Sequence, residues 1–138
     1  MRSGPIHDRH FSPLEAAVLT KMLDGAHPVL NALRDQVDHA TGVVREFTGV
    51  GFWTDIELPS AWHAASVSNF ELSDVGAEAA SVQHGVGFVL FIRDGLLSML
   101  EGFTYDQPWP DDLGPFTLSY VSGDDRRQTL ARLDAASG

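Results

Sequence analysis

The chain has 138 residues, 43% of them apolar, which suits a single domain with a real core and argues against disorder. Nineteen Asp and Glu face nine Lys and Arg, a formal net charge of −10, so a cationic surface for nucleic acid or an anionic membrane is not expected. There is no cysteine, which removes disulfides, thiolate nucleophiles, zinc–thiolate sites and iron–sulfur clusters together.

Residues 1–11, MRSGPIHDRHF, read as a flexible arm, and residues 12–138 as one α+β domain. No apolar h-region follows the opening charges, and the longest apolar stretch, Val86 to Ile92, is too short to cross a bilayer. The expected location is therefore the cytoplasm. Ser12-Pro13-Leu14-Glu15 is a capping box: Ser12 as N-cap, Pro13 at the first helical position and Glu15 reaching back. Leu14, Val18, Leu19 and Met22 continue at helical spacing to Gly25. A second helix starts near Pro28, with a Leu30, Leu33, Val37 stripe and an Arg34/Asp38 pair at i,i+4, and stops before Gly42.

After Gly42 the apolar period changes from helical to alternating. Residues 43–47 and 51–58 read as strands. In the second, Phe52, Thr54, Ile56 and Leu58 would share one face, and Trp53, Asp55 and Glu57 the other. A further strand lies near 69–75. Val86–Ile92 and Leu96–Phe103 flank Asp94-Gly95, the dipeptide of a type I′ hairpin turn. A regular hairpin about that turn sets Leu90 opposite Met99 and Phe88 opposite Glu101. That register puts Glu101 on the apolar face, where it would pair with N–H groups or an arginine such as Arg45, act as a general acid or base, or emerge at the strand end. Residues 116–121 form a last strand, and 124–136 a short C-terminal helix. The expected fold is two N-terminal helices packed on a mainly antiparallel sheet of about five or six strands, closed by that helix.

Catalytic signatures do not emerge. The six histidines, His7, His10, His27, His39, His63 and His84, show no HExxH and no i,i+4 spacing on an expected helix. There is no GxSxG elbow, no SxxK and no phosphate loop. The reading assigns no catalytic residue, no metal and no cofactor. Two surfaces stand out instead. Trp53, Asp55 and Glu57 join an aromatic anchor to an acidic rim, which suits a basic protein partner. Glu101, Tyr105, Asp106 and Trp109 could line a pocket for a small ligand or a hydrolase-like reaction. A homodimer through a sheet edge or the helix pair is the third possibility.

The segment DGLLSMLEGFTYDQPWP, residues 94–110, resembles a strand-end motif of small uncharacterised bacterial α+β proteins, some of which look like immunity proteins of toxin systems. The resemblance implies a bacterial protein without an assigned activity. Together with the charge of −10, the small size, the Trp53 patch and the absence of catalytic signatures, it leads to the expectation of a non-enzymatic binding protein, such as an immunity-type inhibitor that occludes the cationic active site of a basic toxin.

Overall fold

The computed structural model describes residues 4–121 and 126–137. Two helices come early, α1 (Pro13–Met22) and α2 (Pro28–His39), and a third, α3 (Arg127–Ala136), closes the chain. The expected start of α3, with Asp124 and Asp125, lies outside the described residues. Between the helices run β2 (Gly42–Phe47), β3 (Gly51–Glu57), β4 (Phe70–Leu72), β5 (Val75–Ala79), β6 (Val86–Arg93), β7 (Leu96–Thr104) and β8 (Phe116–Tyr120). Ahead of them, within the expected arm, Ile6–Asp8 forms a short edge strand, β1, against β2.

The strands make one antiparallel sheet in the order β1-β2-β3-β7-β6-β5-β8, with β4 also on β6. It has eight strands among the described residues, more than the five or six expected. One reason is β1. The other is that the expected strand near residue 70 breaks at Ser73-Asp74, so its halves pair separately with the two ends of β6.

All three helices cover the same face. Val18, Leu19, Met22, Leu30, Leu33 and Leu133 of the helices share a single core with Phe52, Leu72, Phe88, Leu90, Ile92 and Leu100 of the sheet. The capping box forms as the sequence dictates: Ser12 Oγ accepts from Glu15 N–H, and Glu15 accepts from Ser12 N–H. His27 caps α2, its Nδ1 accepting from Val29 N–H, while its Nε2 reaches Asp134 of α3 at 2.6 Å. Arg34 does not pair with Asp38. It donates to the carbonyls of Leu23 and Gly25 and to Asn31, closing the turn between α1 and α2.

Two buried polar side chains tie the helices down. Gln36 is fully buried in α2. Its amide donates to Gly95 O and His63 O and accepts from Leu97 N–H. Arg126, just before α3, grips Asp74 at 2.8 Å and donates to Met22 O and Asp24 O, with Tyr120 under its guanidinium. An uncompensated charge at either end of that pair would be costly, so the pair locks the strand break to the end of α1.

The turn at Asp94-Gly95 has positive φ at both residues, 54° and 75°, as a type I′ turn requires. The hairpin is not regular beyond it. Arg93 faces Leu96 and Ile92 faces Leu97, but Phe91 then faces Met99, leaving Ser98 as an extra residue. This β-bulge shifts every later pair by one, so Leu90 faces Leu100, Val89 faces Glu101 and Phe88 faces Gly102. A one-residue shift reverses which face a side chain meets. Glu101 is therefore on the face opposite to Phe88 and Leu90, not at the edge of the core.

Candidate functional site: an uncovered acidic sheet face

No helix among the described residues covers the second face of the sheet. Cross-strand pairing sets its side chains in rows. One row runs Glu46, Trp53, Glu101, Val89 across β2, β3, β7 and β6. The next runs Val44, Asp55, Met99, Phe91, Glu71 across β2, β3, β7, β6 and β4. Directly opposed residues have their Cβ atoms about 4.5–5.5 Å apart, so each row is a set of contacting neighbours. Trp53, Val89, Phe91, Met99 and Phe103 are all half-buried, and together they form an apolar band.

Carboxylates punctuate and rim this band. Trp53 stands between Glu46 and Glu101, and Asp55 and Glu57 are exposed farther along β3. The side chains of Glu46, Asp55, Glu57 and Glu101 make no hydrogen bond or ion pair with any described residue. Arg93 is the lysine or arginine that the described strands place on this face. It is engaged, lying 3.4 Å from Glu71 and over the Phe91 ring at 5.2 Å. The face is thus apolar at its centre and negative in sum.

The sequence grouped Trp53, Asp55 and Glu57 on one face, and the structure places them so. It also adds Glu101, which a regular hairpin register sets on the other face, and Glu46 of β2, which pairs with Trp53. Trp53 does not lie beneath the C-terminal helix, because α3 packs on the other side of the sheet.

The four residues offered as a pocket do not come together. Glu101 and Tyr105 belong to the open face, where the Tyr105 ring meets Phe103 edge-on at 5.4 Å. Asp106 then turns the chain with a φ of 59°, exposed to solvent. Thr104 ties this end of β7 to Val50 O, and Trp109 N–H donates to Gly49 O at 2.7 Å. Those bonds carry Trp109 around the sheet end to the covered face, where it meets Phe52 edge-on at 5.3 Å. Nor does Arg45 serve Glu101.

Arg45 serves Glu15, the carboxylate that is truly buried. Glu15 is 1% exposed. It accepts from Arg45 Nε at 2.6 Å and Nη2 at 2.7 Å, from Thr54 Oγ1 at 2.6 Å and from Ser12 N–H at 2.8 Å. Burial alone would raise its pKa, but the bonds from Arg45, Thr54 and Ser12 outweigh burial and hold it below the usual carboxylate value. Sequence reasoning missed its burial, although Glu15 lies three, four and seven residues before Val18, Leu19 and Met22, on the apolar stripe. Beside this cluster the start of α1, the β2–β3 pair and residues 109–113 enclose a cleft of about 210 Å³.

Among the described residues no three His, Asp or Glu side chains gather as a metal would need. His39 stacks on Trp62 at 4.8 Å, and His27 works as a cap. No described helix is long and apolar enough to cross a membrane. No protein-family model, curated protein or solved structure matches this chain.

Proposed function

We propose that this chain is a non-enzymatic protein-binding domain whose open sheet face receives a cationic surface of a partner protein. One observation carries the reading: Trp53 stands uncovered between Glu46 and Glu101, two half-buried carboxylates without a partner of their own. Tryptophan supplies a large rigid contact and attracts cations over its ring. Carboxylates that already stand at the site, and in a chain of charge −10, steer a basic partner and fix its register. An inhibitor of a basic toxin, the role to which the resemblance of residues 94–110 and the charge together lead, has this chemistry. Its action would be occlusion, with Glu46, Asp55, Glu57 and Glu101 meeting the toxin's lysines and arginines.

The test has two stages. A pull-down with the tagged chain at low and high salt, read by mass spectrometry, is expected to return a basic protein that is lost at high salt. The purified pair is then compared with the Asp55→Lys/Glu57→Lys variant. Association should slow by about tenfold or more and lose much of its salt dependence. Binding unchanged in that variant would remove this surface from consideration. Light scattering that shows a dimer of this chain, abolished by the same substitutions, would give the face to a second copy instead.

A further inference from the structure

We propose that the cleft beside Arg45 is a binding site for a small, flat, uncharged molecule that carries a carbonyl-type hydrogen-bond acceptor. The inference is independent of the open face, which lies on the other side of the sheet. The cleft is a defined volume of about 210 Å³. Leu14, Phe52, Trp109 and Leu113 are part of its apolar wall, and Ser12, Glu15 and Arg45 are the polar residues that line it. A cavity of that size takes one or two rings, and the edge-on pair of Phe52 and Trp109 offers aromatic contact.

The polar side chains decide the ligand's chemistry. Arg45 is nine-tenths buried, and two of its nitrogens are taken by Glu15. Its Nη1 is in an ion pair with Asp8 Oδ2 at 3.8 Å, so Glu15 and Asp8 together still leave part of its five N–H donors unused. Ser12 Oγ accepts from Glu15 N–H, while its own O–H has no acceptor among the described residues. Glu15 already accepts four hydrogen bonds. What the cleft has left to give is donors, so the ligand must accept. The charge of Arg45 is balanced by Glu15, with Asp8 also beside it, and the chain as a whole is strongly negative. An anion would gain little net attraction there, and a neutral carbonyl is the matched group.

Three probes of similar shape separate these terms: acetophenone, benzoate and ethylbenzene. Each is titrated into isotopically labelled chain and followed by NMR shifts. Acetophenone is expected to saturate with a Kd on the order of 1 mM, with shifts confined to the Leu14 and Leu113 methyls and the Trp109 indole. Ethylbenzene, which has no acceptor, should bind about fivefold more weakly. Benzoate should bind no more tightly than acetophenone. Leu113→Trp fills the cleft with an indole and should abolish binding of all three, with its thermal midpoint showing that the fold persists. No saturation at about tenfold higher acetophenone concentration would overturn the site. Ethylbenzene equal to acetophenone would remove the role of the donors, and tighter benzoate would overturn the uncharged class. Binding that survives in Leu113→Trp would place the ligand elsewhere. Should that variant fail to fold, the shift map and the three-probe ranking on the native chain still decide.

Discussion

On the covered face of the sheet, Glu15 is 1% exposed and accepts four hydrogen bonds; on the open face, Glu101 is half-buried beside Trp53 and accepts none. Both are carboxylates set among large apolar side chains. Burial marks Glu15 as the structural charge, because a carboxylate withdrawn from water persists only when its lone pairs are met. Glu101 keeps part of its hydration and leaves its oxygens available to something outside the chain. The pair teaches that apolar surroundings alone do not indicate a role for an acid. The donors around it do.

The largest expected effect is at Glu15. Glu15→Gln leaves Arg45 with half-exposed Asp8, 3.8 Å away, as its remaining counter-charge and should cost about 3 kcal/mol by chemical denaturation. Replacing both partners, Glu15→Leu with Arg45→Met, should recover most of that loss, because the second buried charge goes too. Thr54 Oγ1 and Ser12 N–H then lack their acceptor, which leaves a residual of about 1–2 kcal/mol. A double variant as unstable as Glu15→Gln would show that the site needs more than charge balance.

The same comparison has a pH signature. The Glu15 carboxyl is depressed below its ordinary value of 4.5 in the folded chain. Its contribution is therefore present above the unfolded value and is lost as pH falls below about 4.5 through the folded value. Stability measured from pH 7 downward should fall in that window, and the slope should be shallower in Glu15→Leu/Arg45→Met. An unaltered slope in the double variant would assign acid sensitivity to other carboxylates.

Two glycines extend the contrast from charge to packing. A Cβ on Gly102 would stand 2.5 Å from the Phe52 ring and 3.1 Å from Phe88, both deep in the core. A Cβ on Gly87 would meet the Phe103 ring and the Tyr105 hydroxyl at 2.6 Å, but those rings lie on the open face, and Tyr105 is 45% exposed. Gly102→Ala should therefore cost about 1–3 kcal/mol, and Gly87→Ala less than about 1 kcal/mol. Equal costs would mean that the open face is packed as rigidly as the core. The smallest effect belongs to Glu101→Gln, within about 0.5 kcal/mol of the parent. A larger loss of stability there would make Glu101 structural after all.

Much of this architecture is legible in the sequence, for local reasons. Ser12 to Glu15 specify their cap within one turn, and Asp94-Gly95 specify theirs within two residues. The alternation along 51–58 places Trp53 outside and Phe52 inside without knowledge of any partner. What escaped depends on residues distant in the chain. Ile6–Asp8 become a strand only because β2 offers an edge. The break at Ser73-Asp74 is held by Arg126, about 50 positions later. Glu15 seemed accounted for by its capping role, so its place on the apolar stripe, with Arg45 opposite, went unused. Gln36 interrupts the α2 stripe in the same way, and its partners Gly95 and Leu97 lie in the hairpin. The pocket of Glu101, Tyr105, Asp106 and Trp109 failed because nearness in sequence does not show a chain rounding the end of a sheet.

The bulge at Ser98 reaches further than the face of Glu101. With Ser98 removed, Leu97 would still face Ile92 and Met99 would still face Phe91, now in strict alternation. The hairpin therefore carries one residue more than its ladder uses, in mid-strand rather than in a loop. Homologous chains could differ in length at this point, inside β7, and keep the same two faces. An alignment that confines its gaps to loops would misassign every residue from Met99 to Thr104.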